Sequence, residues 1–341
     1  MGSNVTLKQI ADALDISAMT VSRALNNREN VDEQTRERIV EKARELGYTP
    51  NHIAKSLVSQ KTNTIGVVIP EIAHSFFAQA IQGIEEEIFD DEYQLILTHS
   101  AEQDERERKA LETLKAKRVD GILISAAQNT HNEQYYKQII ESGTEMVFFD
   151  RYVENIGASC VKVDDNNAAY NITNHLLGHG YKSVAHLSAA MDISIGRDRF
   201  KGFKAAMQDH NLPVEDQYVV PAELHEEGGY QAMKTLLELP EAEQPRAVFA
   251  VNDPVAFGAM DAIYEQGLSI PEDIAIVGFS NDNRASLMES PLTTVVQPAY
   301  ELGRRAARKL ISHIENENEM LENVELLTKL KIRESCGCKT A

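Results

Sequence analysis

Hydrophobic and polar positions near the start of the chain repeat with helical spacing. Four apolar residues fall at i, i+3, i+4 and i+7, so they share one face of a helix. They are Leu7, Ile10, Ala11 and Leu14. Thr6 and Gln9 have the spacing of a capping box, and Asp15–Ile16–Ser17 is a turn-forming stretch. The pattern therefore predicts a first helix that starts near Leu7 and ends before this turn.

Two more short helices are predicted after the turn. Ser17 is a favourable N-cap for the second helix, and Asp32 for the third, which Gly47 ends. The inward-facing residues of the second helix are Val21, Ala24 and Leu25. Its outer face carries Ala18, Met19, Ser22 and Arg23. The predicted apolar stripe of the third helix is Ile39, Val40, Ala43 and Leu46.

From Thr64 onward, short runs rich in β-branched residues alternate with amphipathic stretches such as Ser75–Phe89 and Arg199–Gln208. This alternation is typical of parallel α/β structure. The predicted strands are Ile65–Ile69, Leu95–Thr98, Gly121–Ser125, Met146–Phe149, Val184–Leu187, Val248–Val251, Ile274–Phe279 and a last strand in "VELLTKLKI". This run of alternating strands and helices is too long for one sheet, so we expect two lobes. The chain is expected to cross between them near Cys160, Pro291 and Val324.

The expected fold class is an N-terminal all-α helix-turn-helix domain followed by an α/β core of two lobes with parallel sheets. The expected helix-turn-helix domain is 1–49, and 50–61 forms a hinge helix and linker. The core is 62–341. Its N-lobe is expected at about 62–161 and 292–322, and its C-lobe at about 162–291 and 323–341.

Two helices joined by a tight turn and braced by a third form a helix-turn-helix. Arg23 suits a surface placed against base edges, because arginine bonds guanine O6 and N7 together, and Met19 can touch a thymine methyl. We expect Ser17, Thr20 and Ser22 to bond phosphate oxygens. A helical bundle used for protein contacts, with Arg23 solvated, is the alternative that this pattern leaves open.

The net charge supports DNA binding only when the N-terminal segment and the rest of the chain are counted separately. The formal charge is −19 over 341 residues, which is not typical of a nucleic-acid binder. Residues 1–61, however, hold nine Lys and Arg against eight Asp and Glu, so their net is +1 and the remaining 280 residues carry −20. A near-neutral N-terminal segment on an acidic body fits a local DNA contact.

The segment after the third helix has the composition of a hinge. Pro50 suits the first position of a helix capped by Thr49, but only about eight residues, Asn51 to Val58, can be helical. Because a helix this short is marginal alone, we expect it to fold on a partner. Leu57 offers an apolar wedge for a minor-groove step. A plain polar linker is the alternative.

Several stretches resemble the LacI/GalR family of bacterial transcription regulators. The N-terminal ones are "VTLKQIADALDIS", "TVSRALN", Val31 to Ile39, "LGYTPN" and Ala54 to Leu57. Later ones are "SFFAQAIQGIEE", "HLLGHGYKSVAHL", "RDRFKGF", "VNDPVAFGAMDAI", "PEDIAIVGFSND" and "PLTTVVQP". The resemblance covers nearly the whole chain in order, so it is far more specific than one short motif.

The resemblance implies a homodimer that reads a pseudo-palindromic operator in double-stranded DNA, with a small effector that controls its affinity. Ala18, Met19 and Arg23 match the base-reading positions, and Leu57 matches the residue inserted at the centre of the site. The other residues expected at DNA are Thr6, Ser17, Thr20, Ser22, Asn26, Tyr48, Asn51 and Ala54.

Polar residues cluster at the carboxyl ends of the predicted strands. Ligands of parallel α/β sheets bind beyond those ends, and carboxylates and amides there can bond paired sugar hydroxyls. We therefore expect a cleft for a polyhydroxylated effector, such as a sugar or a sugar derivative. The expected effector-binding residues are Phe76, Ser125, Asp150, Arg199, Leu224, Asp253, Ser280 and Asn281. Arg199 is included because it matches the family's effector-binding arginine in "RxxGF".

Four of these residues have a structural alternative. Arg199 can be an exposed helix charge. Asp253 precedes Pro254 and can be an N-cap, Phe76 and Phe77 can both be core, and Asp150 can pair with Arg151. The chain also departs from the family pattern. Ser280 stands where many members carry an acidic residue, for which Asn281 or Asp282 can compensate. His74-Ser75 replaces a common Asn-Pro.

The three cysteines, Cys160, Cys336 and Cys338, are too few for a disulfide framework. The two thiols of "CGC" have no third ligand nearby in sequence, which favours an ordinary reduced tail over a metal site. No apolar run reaches transmembrane length, and the first residues lack the apolar core of a signal peptide. We expect a cytoplasmic protein without a membrane contact.

No phosphate loop, dinucleotide fingerprint, HExxH or G-x-S-x-G motif is found in the sequence. We therefore expect neither enzymatic activity nor a cofactor. Two other classes remain as alternatives: a transport-type sugar-binding protein, which the N-terminal helices disfavour, and a sugar-active enzyme, which the missing catalytic residues disfavour. Within the regulator class, control by a partner protein instead of a ligand is a further alternative.

Overall fold

The structure is a computed structural model that describes residues 5–25, 30–48, 61–128, 130–316 and 318–338. The chain divides into two compact units, Met1–Thr62 and Asn63–Ala341. The hinge helix expected between Asn51 and Val58 lies outside the described residues. Across the described ranges, no helix is both long and apolar enough to span a membrane.

The N-terminal unit contains three helices, α1 (Leu7–Leu14), α2 (Ala18–Leu25) and α3 (Glu33–Glu45). All three predicted caps are confirmed. Thr6 makes both bonds of the capping box. The Ser17 hydroxyl accepts from the Thr20 amide at 3.0 Å, and Asp32 accepts from the Thr35 amide at 2.9 Å. Local hydrogen bonds therefore fix where each helix begins.

A small core joins these helices. Its buried residues are Ile10, Ala11, Val21, Ala24, Ile39 and Ala43. Two residues of the stripe predicted on α3 were assigned wrongly, since Val40 is 42% and Leu46 37% exposed. Ile39 and Ala43, at i and i+4, define the buried face, and Val40 lies about 100° around the helix from Ile39. Val31 and Tyr48 pack against this core from beyond the helix ends.

The first sheet of the body has the order β11-β5-β4-β3-β1-β2, and all its strands are parallel. The strands are β1 (Thr64–Ile69), β2 (Gln94–His99), β3 (Gly121–Ile124), β4 (Glu145–Phe149), β5 (Ser159–Val163) and β11 (Asn323–Leu326). The helices of this lobe are α4 (Ser75–Asp90), α5 (Asp104–Lys117), α6 (Glu133–Glu141) and α11 (Ala299–Glu315). Helices α4 and α11 pack with their backbones in close contact at Gly303. A Cβ at this position would lie 2.0 Å from the Ala80 carbonyl oxygen, so only glycine fits there.

The second sheet has the order β12-β10-β9-β8-β6-β7, and only β12 runs antiparallel, to β10. The strands are β6 (Val184–Ser188), β7 (Val219–Pro221), β8 (Ala247–Ala250), β9 (Ala275–Ser280), β10 (Thr293–Val296) and β12 (Lys329–Lys331). The helices of this lobe are α7 (Asp165–Gly178), α8 (Ser194–Asp209), α9 (Glu226–Leu237) and α10 (Asp253–Glu265). The two-lobed parallel α/β fold class is thus the one expected.

The chain crosses between the lobes a few residues later than the sequence predicted. It leaves the first lobe after β5, returns after β10, and leaves again between β11 and β12. The boundaries expected at 291/292 and 322/323 are therefore wrong, because β10 belongs to the second sheet and β11 to the first. The stretch "VELLTKLKI" is two strands of different sheets rather than one. The apolar pattern continues through the point where the chain changes lobes, so it does not indicate which sheet each strand joins.

Candidate functional site

The carboxyl ends of the two sheets meet at a cleft. The Ser75 hydroxyl, which follows β1 at the start of α4, donates to Asp282 Oδ2 beyond β9 at 2.7 Å. Groups from both lobes gather around this contact. We define the interlobe cleft by His74, Ser75, Arg151, Arg199 and Asp282. Its position beyond the strand ends is the usual ligand position in parallel α/β folds.

His74 supplies a neutral imidazole to the cleft. Its Nδ1 accepts the Phe76 amide at 3.1 Å, and its ring lies edge-on to Phe76 and Phe77. Burial lowers the pKa of His74 to about 4; Asp282 opposes this change, and Arg151 adds to it. With Nδ1 accepting, the ring proton sits on Nε2, so His74 has one donor left for the cleft.

Arg199, predicted to bind effector, is held by three contacts and is only 2% exposed. Its Nε donates to Asp165 Oδ1 at 2.8 Å and its Nη1 to the Val251 carbonyl at 2.6 Å. Its guanidinium carbon lies 3.6 Å from the ring centroid of Phe279. Burial raises the pKa of Asp165 to about 6, although Arg199 opposes this rise. A guanidinium fixed so completely presents its remaining N–H donors in one orientation.

The sequence reasoning missed Asp165. Its signal was a second carboxylate in "VDD", directly after the strand β5. It also missed Glu102, whose Oε1 accepts from Arg151 Nη1 at 2.7 Å. The positive backbone φ of Glu102, 56°, belongs to the turn after β2. Neither partner is near in sequence to the arginine it holds.

Asp253 is part of the scaffold that carries Asp282. The N-cap of α10 is Asn252, whose side chain accepts from the Val255 amide, so the N-cap alternative for Asp253 is wrong. Asp253 is fully buried; its Oδ1 accepts from Thr294 Oγ1 and its Oδ2 from the Asp282 amide, both at 2.6 Å. Burial raises its pKa to about 6. Both oxygens thus bind protein donors that fix the loop after β9.

Ser280, the last residue of β9, and Asn281, the first residue of that loop, have positive φ values of 121° and 56°. Asn281 Oδ1 accepts from Arg333 Nη2 at 2.8 Å. The carboxylate in this loop that faces the first lobe is that of Asp282, two residues beyond the position where the family carries its acid. Of the two residues expected to compensate for Ser280, Asp282 is thus the one whose carboxylate meets the first lobe.

The predicted apolar members of the site are buried in the two lobes. Phe76 and Phe77 both belong to a hydrophobic core that includes residues of both lobes, and Leu224 belongs to a core of the second lobe. The Leu224 carbonyl accepts from Asn252 Nδ2 at 3.0 Å. The structure thus matches the core alternative for both phenylalanines.

Asp150 and Ser125 lie at the ends of β4 and β3. Asp150 Oδ1 accepts from Gln297 Nε2 at 3.2 Å, and Arg151 Nε lies 3.7 Å from its Oδ2, so the expected ion pair is present. Burial raises the pKa of Asp150. Within the described part of the chain, the buried atoms Ser125 Oγ, Arg151 Nε and Ser280 Oγ have no hydrogen-bond partner. Because buried polar atoms are usually paired, these three are candidates for contact with a ligand.

A cavity of about 410 Å³ lies at the rim of the cleft. It is lined by Ala126, Tyr152, Glu154, Asp192 and Arg197, among others. Two contacts join the lobes beside it: Tyr152 Oη donates to Asp198 Oδ2 at 3.1 Å, and Arg197 Nη2 pairs with Glu154 at 3.1 Å. Arg199 and Asp282 do not line this cavity. We therefore place the candidate effector site at the polar side chains of the interlobe cleft and not in the cavity.

The residues predicted to read DNA lie on α2 and beside it. Ala18, Met19 and Arg23 are exposed on one face, with Met19 64% exposed. The hydroxyls of Ser17 and Thr20 are 2.8 Å apart, and Ser22 is partly exposed. Thr6 is exposed and engaged in the cap, and Tyr48 packs on the core. The remaining predicted contacts, Asn26, Asn51, Ala54 and Leu57, lie outside the described residues.

Two family models match the chain. Residues 6–51 match the one described as bacterial regulatory proteins, lacI family. Residues 62–334 match the one described as periplasmic binding proteins and sugar binding domain of LacI family. Together they cover both units.

Individual relatives match over almost their whole length. Catabolite control protein A of Priestia megaterium is 32% identical over 97% of this chain and 99% of its own. The HTH-type transcriptional repressor CytR of Escherichia coli K12 is 30% identical over 92% of this chain and 91% of its own. A solved structure of a transcriptional regulator CelR–cellobiose complex has a TM-score of 0.74 and 27% identity, covering 97% of this chain and 100% of the other.

Proposed function

We propose, from the premise that this chain belongs to the LacI family of bacterial regulatory proteins, that it represses carbohydrate-related genes in response to a sugar-like effector. Family membership makes it a ligand-responsive, sequence-specific DNA-binding regulator of transcription. Its relatives are regulators of transcription, which is consistent with a non-catalytic role. A relative named as a repressor supports repression, and a related regulator in complex with cellobiose supports a sugar effector.

The contact between Ser75 and Asp282 across the cleft carries the proposal for the effector site. A hydroxyl of one lobe and a carboxylate of the other lie 2.7 Å apart there, which supports a site where one small molecule contacts both lobes. Arg199 and Arg151 add fixed donors, and His74 adds a neutral one. Such a mixture of acceptors and donors suits the paired hydroxyls of a sugar, and the two arginines also allow an anionic sugar derivative.

The proposed mechanism is a shift between two arrangements of the lobes. Because residues of both lobes bind the effector, the arrangement that brings them together binds it more tightly. The effector can change DNA affinity only by the difference between its affinities for the two arrangements. The protein is proposed to act as a homodimer on a pseudo-palindromic operator, with one α2 helix in each half-site.

We expect an Asp282→Asn variant to bind the effector about 10–100-fold more weakly, because hydrogen bonds to a charged group contribute about 1.5–3 kcal/mol. The effector is first identified by calorimetry of the full chain against a panel of sugars, sugar acids and nucleosides. Glu289→Gln is the matched control, since Glu289 is an exposed acid in the same segment. Equal affinity in Asp282→Asn and the unchanged protein would place the effector elsewhere.

We expect Arg23→Ala to weaken operator binding by about 1–3 kcal/mol and to relax the preference at one base pair of each half-site. Fluorescence anisotropy on a pseudo-palindromic duplex with a central CG step, against scrambled DNA across salt, measures both effects. If that duplex is not bound, selection from random sequence with and without effector supplies the operator. Arg44→Ala, an exposed arginine of α3, is the control. A loss that is uniform over all sequences would assign Arg23 to phosphate instead.

A further inference from the structure

The C-terminal tail brings its two thiols against the end of α7. Cys336 Sγ lies 3.3 Å and Cys338 Sγ 3.4 Å from His175 Nε2. Cys338 Sγ also lies 2.9 Å from His179 Nε2. We call these four side chains the Cys₂His₂ cluster. The sequence showed no third ligand beside "CGC", because the histidines that join the thiols precede them by about 160 positions in the chain.

Local geometry on both sides turns these side chains toward one point. His175 and His179 are four residues apart at the end of α7, so they share one face, with ring centroids 4.8 Å apart. Between the cysteines, Gly337 has a φ of 86°, and its amide donates to the Glu334 carbonyl at 2.9 Å. Only glycine adopts this φ without strain. A side chain there would also meet the Tyr181 hydroxyl at 2.8 Å.

The distances among three of the four side chains fit a tetrahedral metal site. The ligand atoms of His175, Cys336 and Cys338 all lie within 4.8 Å of one another. Zinc bonds of about 2.3 Å to sulfur and about 2.0–2.1 Å to nitrogen put tetrahedral S and N ligands roughly 3.5 Å apart. The two sulfur distances to His175 are within a few tenths of an ångström of that value. His179 Nε2 contacts Cys338 Sγ but does not belong to this close group of three ligand atoms, so its side chain has to shift to complete the tetrahedron.

We propose that Cys336, Cys338, His175 and His179 bind one Zn²⁺ ion in a closed, structural site. Two thiolates and two imidazoles are a common zinc ligand set, and four protein ligands leave no open position for catalysis. His179 is exposed and His175 and Cys338 are partly exposed, so the ion has a path from solvent.

The site would tie the tail that follows β12 to a helix of the second lobe. It is separate from the interlobe cleft, because Asp165, which pairs with Arg199, lies at the opposite end of α7, about 15 Å from His175 along the helix. The proposal therefore stands independently of the proposed function, and its test needs neither DNA nor effector.

Cobalt substitution in the full chain tests the site. The untagged protein is stripped of metal with a chelator under reducing conditions and titrated with Co²⁺. We expect a thiolate-to-cobalt charge-transfer band and intense tetrahedral d–d bands that saturate at one equivalent per chain and disappear when Zn²⁺ is added. Elemental analysis of the protein as purified is expected to find one zinc per chain.

Cys338→Ser, His175→Asn and His179→Asn are each expected to weaken metal binding about a hundredfold or more, since the binding free energy is shared among four ligands. Cys160→Ala and His131→Asn, which change a thiol and an imidazole outside the cluster, are expected to bind as the unchanged chain does. Cys336 is left unchanged because it is fully buried and contacts Thr293 Oγ1 at 3.2 Å. Circular dichroism checks that each variant is folded.

Three outcomes would overturn the site. One is an unchanged chain without the charge-transfer band. The second is a cobalt affinity that stays unchanged in any of the three ligand variants while the fold is intact. The third is a Cys336–Cys338 disulfide that forms in air, together with a reduced protein that binds no metal. That result would make the pair a redox couple instead.

Discussion

An Arg199→Leu variant is expected to lose about 3–5 kcal/mol of its free energy of unfolding at pH 8, because it leaves the buried carboxylate of Asp165 without its partner. Arg199 and Asp165 are 2% and 3% exposed, and the bond between them is 2.8 Å long. Solvent therefore has little access to the charge that remains. Urea unfolding followed by far-UV circular dichroism measures the change, since the chain has no tryptophan.

The loss should depend on pH in a defined direction. In the folded protein the pKa of Asp165 is raised from 3.8 to about 6, so the protonated form favours folding and the ionised form opposes it. Removing the Arg199 charge raises that pKa further. The difference between variant and unchanged protein is therefore largest above the variant's pKa, and it shrinks as the pH falls from 8 toward 5 and Asp165 takes up a proton.

Two further variants separate this cause from others. Arg199→Leu combined with Asp165→Asn is expected to be more stable at pH 8 than Arg199→Leu alone, and its difference from the unchanged protein should vary little with pH. Arg197→Ala removes a neighbouring arginine whose ion pair with Glu154 is partly exposed, and should cost about 1 kcal/mol or less. If the double variant is no more stable and the loss does not change with pH, the loss comes from packing on Phe279 and not from Asp165.

The sequence was a reliable guide wherever the deciding interaction is local. The caps at Thr6, Ser17 and Asp32 bond amides three residues away, so the residue types alone locate the helix starts. Most strands of the body were predicted because they are short buried runs, as β1 and β4 are. Strands β5, β7 and β10 were not predicted. The two-lobed fold class followed from their alternation with helices. No distant contact was needed for these conclusions.

The remainder depends on contacts between distant residues. Asp165 and Arg199 are 34 positions apart, and Ser75 and Asp282 are 207 apart. The sequence alone does not reveal which distant residue each of them contacts. For Asp253, a local feature of the sequence suggested the wrong partners. Its place before Pro254 suggested a cap or an open carboxylate, but Thr294 and the Asp282 amide take its two oxygens.

Deleting residues 1–61 is expected to abolish sequence-specific DNA binding and to leave effector binding unchanged. Specific binding typically exceeds non-specific binding by about 10³–10⁷, and this whole ratio should disappear. The reason is that the predicted DNA contacts all lie within the deleted segment, while the rest of the chain has a net charge of −20 and repels DNA. Anisotropy on the selected operator and calorimetry with the identified effector measure the two activities in the same preparation.

The separate cores of the two units explain why the body should survive this deletion. Among the described residues, the core of the N-terminal helices extends no further than Tyr48, and the cores of the body begin at Ile65. An Ile39→Ala variant is the control that keeps the full length. Losing a fully buried side chain costs about 2–5 kcal/mol, and a core of this size has little stability to spare. It should therefore also lose operator binding and keep effector binding. Operator affinity retained by the deleted chain would refute the assignment of α2 to DNA, whereas effector affinity lost in both variants would mean that the cleft depends on the N-terminal unit.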